Sequence, residues 1–154
     1  MRTPTTGDRH DPRPQTETAT RPEVTPPAGH FRVGKRFSFD ASHQLPGLLD
    51  GHKCARLHGH TYTVEIVVAA DMLTDPGFVT DFGDLAPLRA YLDDEFDHRH
   101  LNEVLAAPPT AENLAAHLAR WCHVHLEPLI PGQVVAVRVS ETPTSWAIWE
   151  ADPR

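Results

Sequence analysis

Three histidines, His43, His58 and His60, have the spacing to share one metal ion. His58 and His60 form a His-x-His pair at the head of the β-branched run Thr61-Tyr-Thr-Val-Glu-Ile-Val-Val. Side chains in a strand alternate faces, so residues two apart point the same way. The two imidazoles then reach one ion without a bend in the backbone, and His43, closing an earlier alternating segment, completes a facial set. Three neutral nitrogen ligands with no obvious fourth describe a zinc site that keeps one position open for water or substrate. A closed structural site uses four ligands and more cysteine. The expected metal therefore takes part in chemistry. A lone His-x-His is a weak signal, and a purely structural metal is the plainer alternative. The Gly/Pro loop and the cysteine between His43 and His58 strengthen the catalytic reading.

Cys54 stands in that loop, four residues before His58. A thiolate beside a cation is a competent base or nucleophile; a fourth zinc ligand and an inert loop thiol are the alternatives. Asp97-His98 is the next element. A carboxylate can orient an imidazole, and such a pair can pass protons to or from a substrate, although a solvated loop gives the same dipeptide. Glu141 ends an apolar run at Val139-Ser140-Glu141-Thr142. It is either an exposed strand terminus or a bidentate acceptor for two N–H groups on the edge of a planar heterocycle.

These residues need a frame. Residues 31–43 alternate, with Phe37, Phe39, Ala41 and His43 on one face and Arg36, Ser38 and Asp40 on the other, which predicts a half-buried strand. A second strand starts near His58 and runs to Ala70. If the two pair antiparallel, His43 closes the first and His58 and His60 open the second, across a long loop at 44–57 of the kind that often carries function. Asp81 is a candidate cap for a helix with the stripe Phe82, Leu85, Leu88 and Leu92. Thr110, with Glu112 in the first turn, caps a second helix, with Leu114, Leu118, Trp121, Cys122 and His125 on one side. Val134–Glu141 and Trp146–Trp149 read as strands. The order ββααββ predicts a two-layer α+β domain with an antiparallel sheet and both helices on one face.

The 154 residues carry a net charge of −7 with neutral histidines, which disfavours nucleic acid as a partner. Two cysteines imply no disulfide framework, and Cys122 reads as helix core. No apolar run is long enough to cross a membrane and no secretory signal is evident, so a cytoplasmic location is expected. Residues 1–29, rich in Pro, Thr and charge, read as a disordered tail, and 30–154 as one domain.

Six motifs stand in order: Phe39-x-Ala-x-His43-x-Leu-Pro, His52-Lys-Cys54-x-x-x-His58-Gly-His60-x-Tyr, Val79-x-Asp81-Phe82, Asp97-His98-x-x-Leu-Asn102, Pro109-Thr110-x-Glu112 and Glu141-Thr142. Together they resemble the 6-pyruvoyl-tetrahydropterin synthase / 6-carboxytetrahydropterin synthase family, from about Phe31 to Glu150. The resemblance implies the tunnelling fold, whose ββααββ subunits join their sheets into a barrel, usually as a hexamer with active sites between subunits. It implies zinc on His43, His58 and His60, Cys54 as catalytic cysteine, Asp97 and His98 as its partners, and Glu141 as anchor of a pterin ring. The Cys54-to-His58 spacing is similar to that of the bacterial 6-carboxy branch. The implied reaction turns 7,8-dihydroneopterin triphosphate into 6-carboxy-5,6,7,8-tetrahydropterin, acetaldehyde and triphosphate, on the route to 7-deazapurines such as queuosine. Lys53, Arg56 and Arg99 are candidate partners for the triphosphate. The rivals are 6-pyruvoyl synthesis and a non-catalytic pterin- or metal-binding protein on the same fold. Pro143-Thr-Ser-Trp146 departs from the family pattern, so the far wall of the pterin pocket is not placed.

Overall fold

A computed structural model describes residues 29–49 and 51–152. The expected tail, apart from Gly29, lies outside the described residues. Strand β1 (Phe31–His43) pairs antiparallel with β2 (His58–Ala70) along its whole length, from Phe31 opposite Ala70 to His43 opposite His58. The period of two does what alternation predicts. Phe37, Phe39, Ala41 and His43 are buried together with Tyr62, Val64, Ile66 and Val68, while Arg36, Ser38 and Asp40 face out. Strand β4 (Gln133–Thr142) adds to β2, setting Val139 opposite Val64 and Val137 opposite Ile66, and β5 (Ser145–Glu150) adds to β4.

Helices α1 (Ala86–Glu95) and α3 (Ala111–Trp121) supply Leu88, Leu92, Leu114 and Leu118 to the same core as the inner strand residues. Each such fully buried side chain contributes about 1.5–3 kcal/mol relative to exposure. Both caps form as read: Asp81 accepts from the Gly83 N–H at 2.6 Å, and Thr110 from the Asn113 N–H at 3.2 Å. The architecture is the expected α+β.

Three details differ from the sequence reading. Asp81 caps a 3-10 turn, Phe82–Leu85, that precedes α1, and Phe82 is half exposed beside Phe31 and Phe78 instead of joining Leu85 in the core. Past Trp121 the chain makes a π-helical turn, Cys122–Leu126. The wider turn shifts the apolar stripe by one residue, so Leu126 is buried and His125 is exposed. Finally, the segment expected to be a loop after α1 holds a short strand, β3 (Arg99–His100), parallel to β1, and a single helical turn, α2 (Leu101–Val104). The sheet order is β3-β1-β2-β4-β5, so it is not purely antiparallel.

Candidate metal centre

His43 and His58 face each other on the last rung of the β1–β2 ladder, and His60 lies one alternation further on the same face. The Nδ1 of His43 is 2.7 Å from the carbonyl oxygen of Pro109, and that of His58 is 2.7 Å from the carbonyl oxygen of Arg56. A carbonyl only accepts, so each Nδ1 carries the hydrogen. In the neutral ring both Nε2 atoms are then bare lone pairs, yet they stand 3.0 Å apart. Two lone pairs at that distance repel unless a proton or a cation lies between them. The third ring adds to the case: His60 Nε2 is buried and has no hydrogen-bond partner among the described residues. One ring nitrogen from each histidine lies within 4.8 Å of the others. A tetrahedral ion with bonds of about 2.0–2.1 Å sets its nitrogens roughly 3.3 Å apart, so small movements suffice to close the set.

Electrostatics favour the same species. Burial holds the His60 imidazole below its ordinary pKa, the Glu141 carboxylate opposes this, and His43 and His58 push it further down. The ligating form of histidine is the neutral one. The donor chemistry, the bare nitrogens and the carbonyls that fix each tautomer all fit a bound divalent metal, with outer partners of the usual kind. Three imidazoles suit zinc, copper, iron or nickel.

The other expected residues are placed as follows. Glu141 sits where the β4–β5 register shifts, close enough for its charge to act on His60 and on Tyr62. Burial first and that carboxylate second raise the Tyr62 phenol well above its usual range, and its buried hydroxyl has no partner. Cys54 is half-buried on a 3-10 turn, Lys53–Ala55. Its N–H donates to His52 Nδ1 at 3.1 Å and its carbonyl accepts from the Leu45 N–H at 2.9 Å. Its sulfur is not among the converging metal-facing atoms.

Asp97 and His98 lie at the outer edge of β1. The Asp97 Oδ1 accepts from the Asp40 N–H at 2.9 Å and lies 3.1 Å from His98 Nδ1. The Asp40 N–H, followed by His98, holds the Asp97 carboxyl below its ordinary value. The His98 N–H donates to the Asp40 carbonyl at 2.6 Å, with His98 itself in the left-handed region at φ 58°. Among the described residues no hydrogen bond joins Cys54 to this pair. An open recess lined by Asp40, Ser42, Thr61, His98 and Arg99 adjoins the pair at the end of β1.

Sequence reasoning missed the carbonyls of Pro109 and Arg56, because a backbone acceptor carries no residue signature. It also missed Asp40, whose side chain accepts from Thr61 Oγ1 at 2.5 Å and whose backbone holds the Asp–His pair. Pro109 does open one of the quoted motifs, which was the available signal.

The family model described as "PTPS: 6-pyruvoyl tetrahydropterin synthase" matches residues 32–152. A Synechocystis protein named 6-carboxy-5,6,7,8-tetrahydropterin synthase is 41% identical, covering 75% of this chain and 89% of that one. A Pyrococcus furiosus protein named dihydroneopterin monophosphate aldolase is 32% identical, covering 79% of this chain and 90% of that one. The solved structure of Caenorhabditis elegans 6-pyruvoyl tetrahydropterin synthase superposes with a TM-score of 0.68 at 21% identity, covering 80% of this chain and 97% of that one, and shares the fold.

Proposed function

Because the chain belongs to the 6-pyruvoyl tetrahydropterin synthase family, we propose that it is a zinc-dependent lyase making 6-carboxy-5,6,7,8-tetrahydropterin, acetaldehyde and triphosphate from 7,8-dihydroneopterin triphosphate and water. The observation that carries this reading is the set of three converging imidazoles, two with bare Nε2 atoms 3.0 Å apart and one with a buried Nε2 lacking any partner. The 41% identical Synechocystis relative, named a 6-carboxy-5,6,7,8-tetrahydropterin synthase, supports the carboxy product.

His43, His58 and His60 hold the metal, which when bound polarises side-chain oxygens of the substrate as a Lewis acid. Glu141, beside His60, accepts N–H groups from the edge of the pterin ring and so fixes which substrate carbon faces the thiol. Cys54 removes a carbon-bound proton. Asp97 orients the His98 imidazole through Nδ1, leaving Nε2 free to return a proton. Its own position is fixed by the Asp40 peptide. Cys54 and the Asp–His pair share no hydrogen bond within one chain among the described residues. The reading therefore takes the pair from a second copy, in a hexamer with its sites between subunits. The product feeds 7-deazapurine synthesis, as in the queuosine route.

Purified protein with zinc and 7,8-dihydroneopterin triphosphate tests this. Acetaldehyde with a 6-carboxy pterin is the expected outcome. A 6-pyruvoyl pterin assigns the chain to the other synthase, and an aldol-cleavage product places it with the Pyrococcus relative. No turnover of any pterin leaves a binding protein.

A further inference from the structure

The ladder that presents His43 stops at His43, and the next residue has no strand partner in β2. Its peptide groups are met by one side chain. The Gln44 N–H donates to Asn102 Oδ1 at 3.0 Å, and Asn102 Nδ2 donates to the Gln44 carbonyl at 2.8 Å. A primary amide offers one acceptor and two donors in a plane, so Asn102 imitates a further rung of a strand.

It completes a continuous grip. Asp97 Oδ1 and the His98 N–H take both peptide groups of Asp40, Arg99 and His100 pair with Ala41 and Ser42, and Asn102 takes both groups of Gln44. Among the described residues of this stretch, His43 has no register partner in the 97–102 segment; it stands opposite His58 of β2, between Ser42 and Gln44. Leu101, fully buried, anchors the segment to the core from the adjoining position.

We infer that Asn102 is a positioning residue for the metal centre: its two bonds to Gln44 fix the backbone of ligand His43, so that the Asp97–His98 segment and the metal site move as one body. The inference rests on the metal-centre reading above. Without the amide, both Gln44 peptide groups turn to water, and past the last rung, His43 opposite His58, the next tie along the chain is the Leu45 N–H bond to the Cys54 carbonyl. Metal sites tolerate about ±0.2 Å in ligand distance, and loss of a group that directly orients a ligand costs about 10- to 100-fold in affinity. Asn102 acts one peptide further away, which sets the expectation at the lower limit.

The test is zinc affinity of the full chain, read by competition with a chromophoric chelator near neutral pH. Asn102→Ala should bind zinc about tenfold more weakly. Asn102→Asp, which keeps the acceptor for the Gln44 N–H and loses the donor, should fall between it and the parent. Leu105→Ala weakens the same segment through the core yet leaves both amide bonds, so it should bind zinc like the parent. Parent-like affinity in Asn102→Ala overturns the inference, as does an equal loss in Leu105→Ala, which would reveal simple destabilisation. Should Asn102→Ala fail to fold, Asn102→Asp decides by the same criterion. A parent chain that binds no zinc overturns the metal centre itself, and this inference with it.

Discussion

Replacing His60 by alanine removes a donor nitrogen and almost nothing the fold depends on. Among the described residues the Nε2 of His60 has no partner, whereas His43 is 1% exposed and donates to the Pro109 carbonyl. What His60→Ala loses in the metal-free chain is edge-to-face packing on Tyr62 at 5.5 Å and on His43 at 5.1 Å, about 1 kcal/mol. Its effect on the metal is far larger. Structural zinc in four-ligand sites is worth about 10–16 kcal/mol, so each protein ligand contributes about 2.5–4 kcal/mol, a factor of roughly 10² to 10³ in affinity. Zinc at a thousand times its Kd stabilises the parent by about 4 kcal/mol, which for a domain of this size is a rise in Tm of roughly 10–20 °C. The assay is thermal unfolding with and without zinc, alongside chelator competition. The parent should show the full shift. His60→Ala should keep the metal-free Tm within a few degrees and lose most of the zinc-dependent rise. A variant that keeps the whole rise, or binds zinc as tightly as the parent, refutes the claim that the orphaned nitrogen is a ligand.

Cys54→Ala should keep zinc affinity and lose about 10²- to 10⁴-fold in turnover, the range for a positioned acid or base. Loss of zinc instead would make the thiol a ligand. If the site forms between copies, Cys54→Ala and His98→Ala, each inactive alone, should regain measurable turnover when unfolded and refolded together; no recovery argues for a site within one chain. Burial, with Arg120 adding to it, holds His117 below its ordinary value, and the ring lies 2.8 Å from the Tyr91 hydroxyl. The folded pKa is thus lower than the unfolded one, so the stability contributed by the neutral ring is complete above about pH 6.5 and is lost as pH falls towards the folded value. His117→Gln should therefore flatten the decline in urea midpoint between about pH 7.5 and 5.5, and an unchanged slope would count against the assignment. At Gly132 an added Cβ would meet Val68 Cγ1 at 2.5 Å and the Ala69 carbonyl oxygen at 2.9 Å. Gly132→Ala should cost about 1–3 kcal/mol in denaturant unfolding, and a neutral effect would show that this turn has room to move.

The convergence of the three histidines was legible in the sequence because period and chemistry coincide in them. His43, His58 and His60 obey the strand alternation that also buries Phe39, Tyr62 and Val64, so one pattern places both core and ligands. Where the period changes, the reading fails. His125 follows a spacing of 3.6 from Leu118, but the π-helical turn hands that place to Leu126. Phe82 opens a 3-10 turn, where helical stripe logic does not apply. The strand Arg99–His100 is two residues long, too short for any periodicity, and exists because β1 offers it an unpaired edge. Asn102 closes one of the motifs, but nothing in the sequence says that its amide meets both peptide groups of Gln44.

The bridge from the Leu45 N–H to the Cys54 carbonyl divides the long hairpin connection in two. On one side of it stand the three histidines of the candidate centre, tied to the ladder; on the other the connection starts and ends at fixed points. Lengthening such a connection is inexpensive, with each doubling of a flexible loop adding only about 0.6 kcal/mol. Insertions there would lengthen the connection while leaving the β1–β2 register, and with it the three histidines, undisturbed. That makes this connection the natural place for the chain to vary in length without disturbing the candidate metal centre.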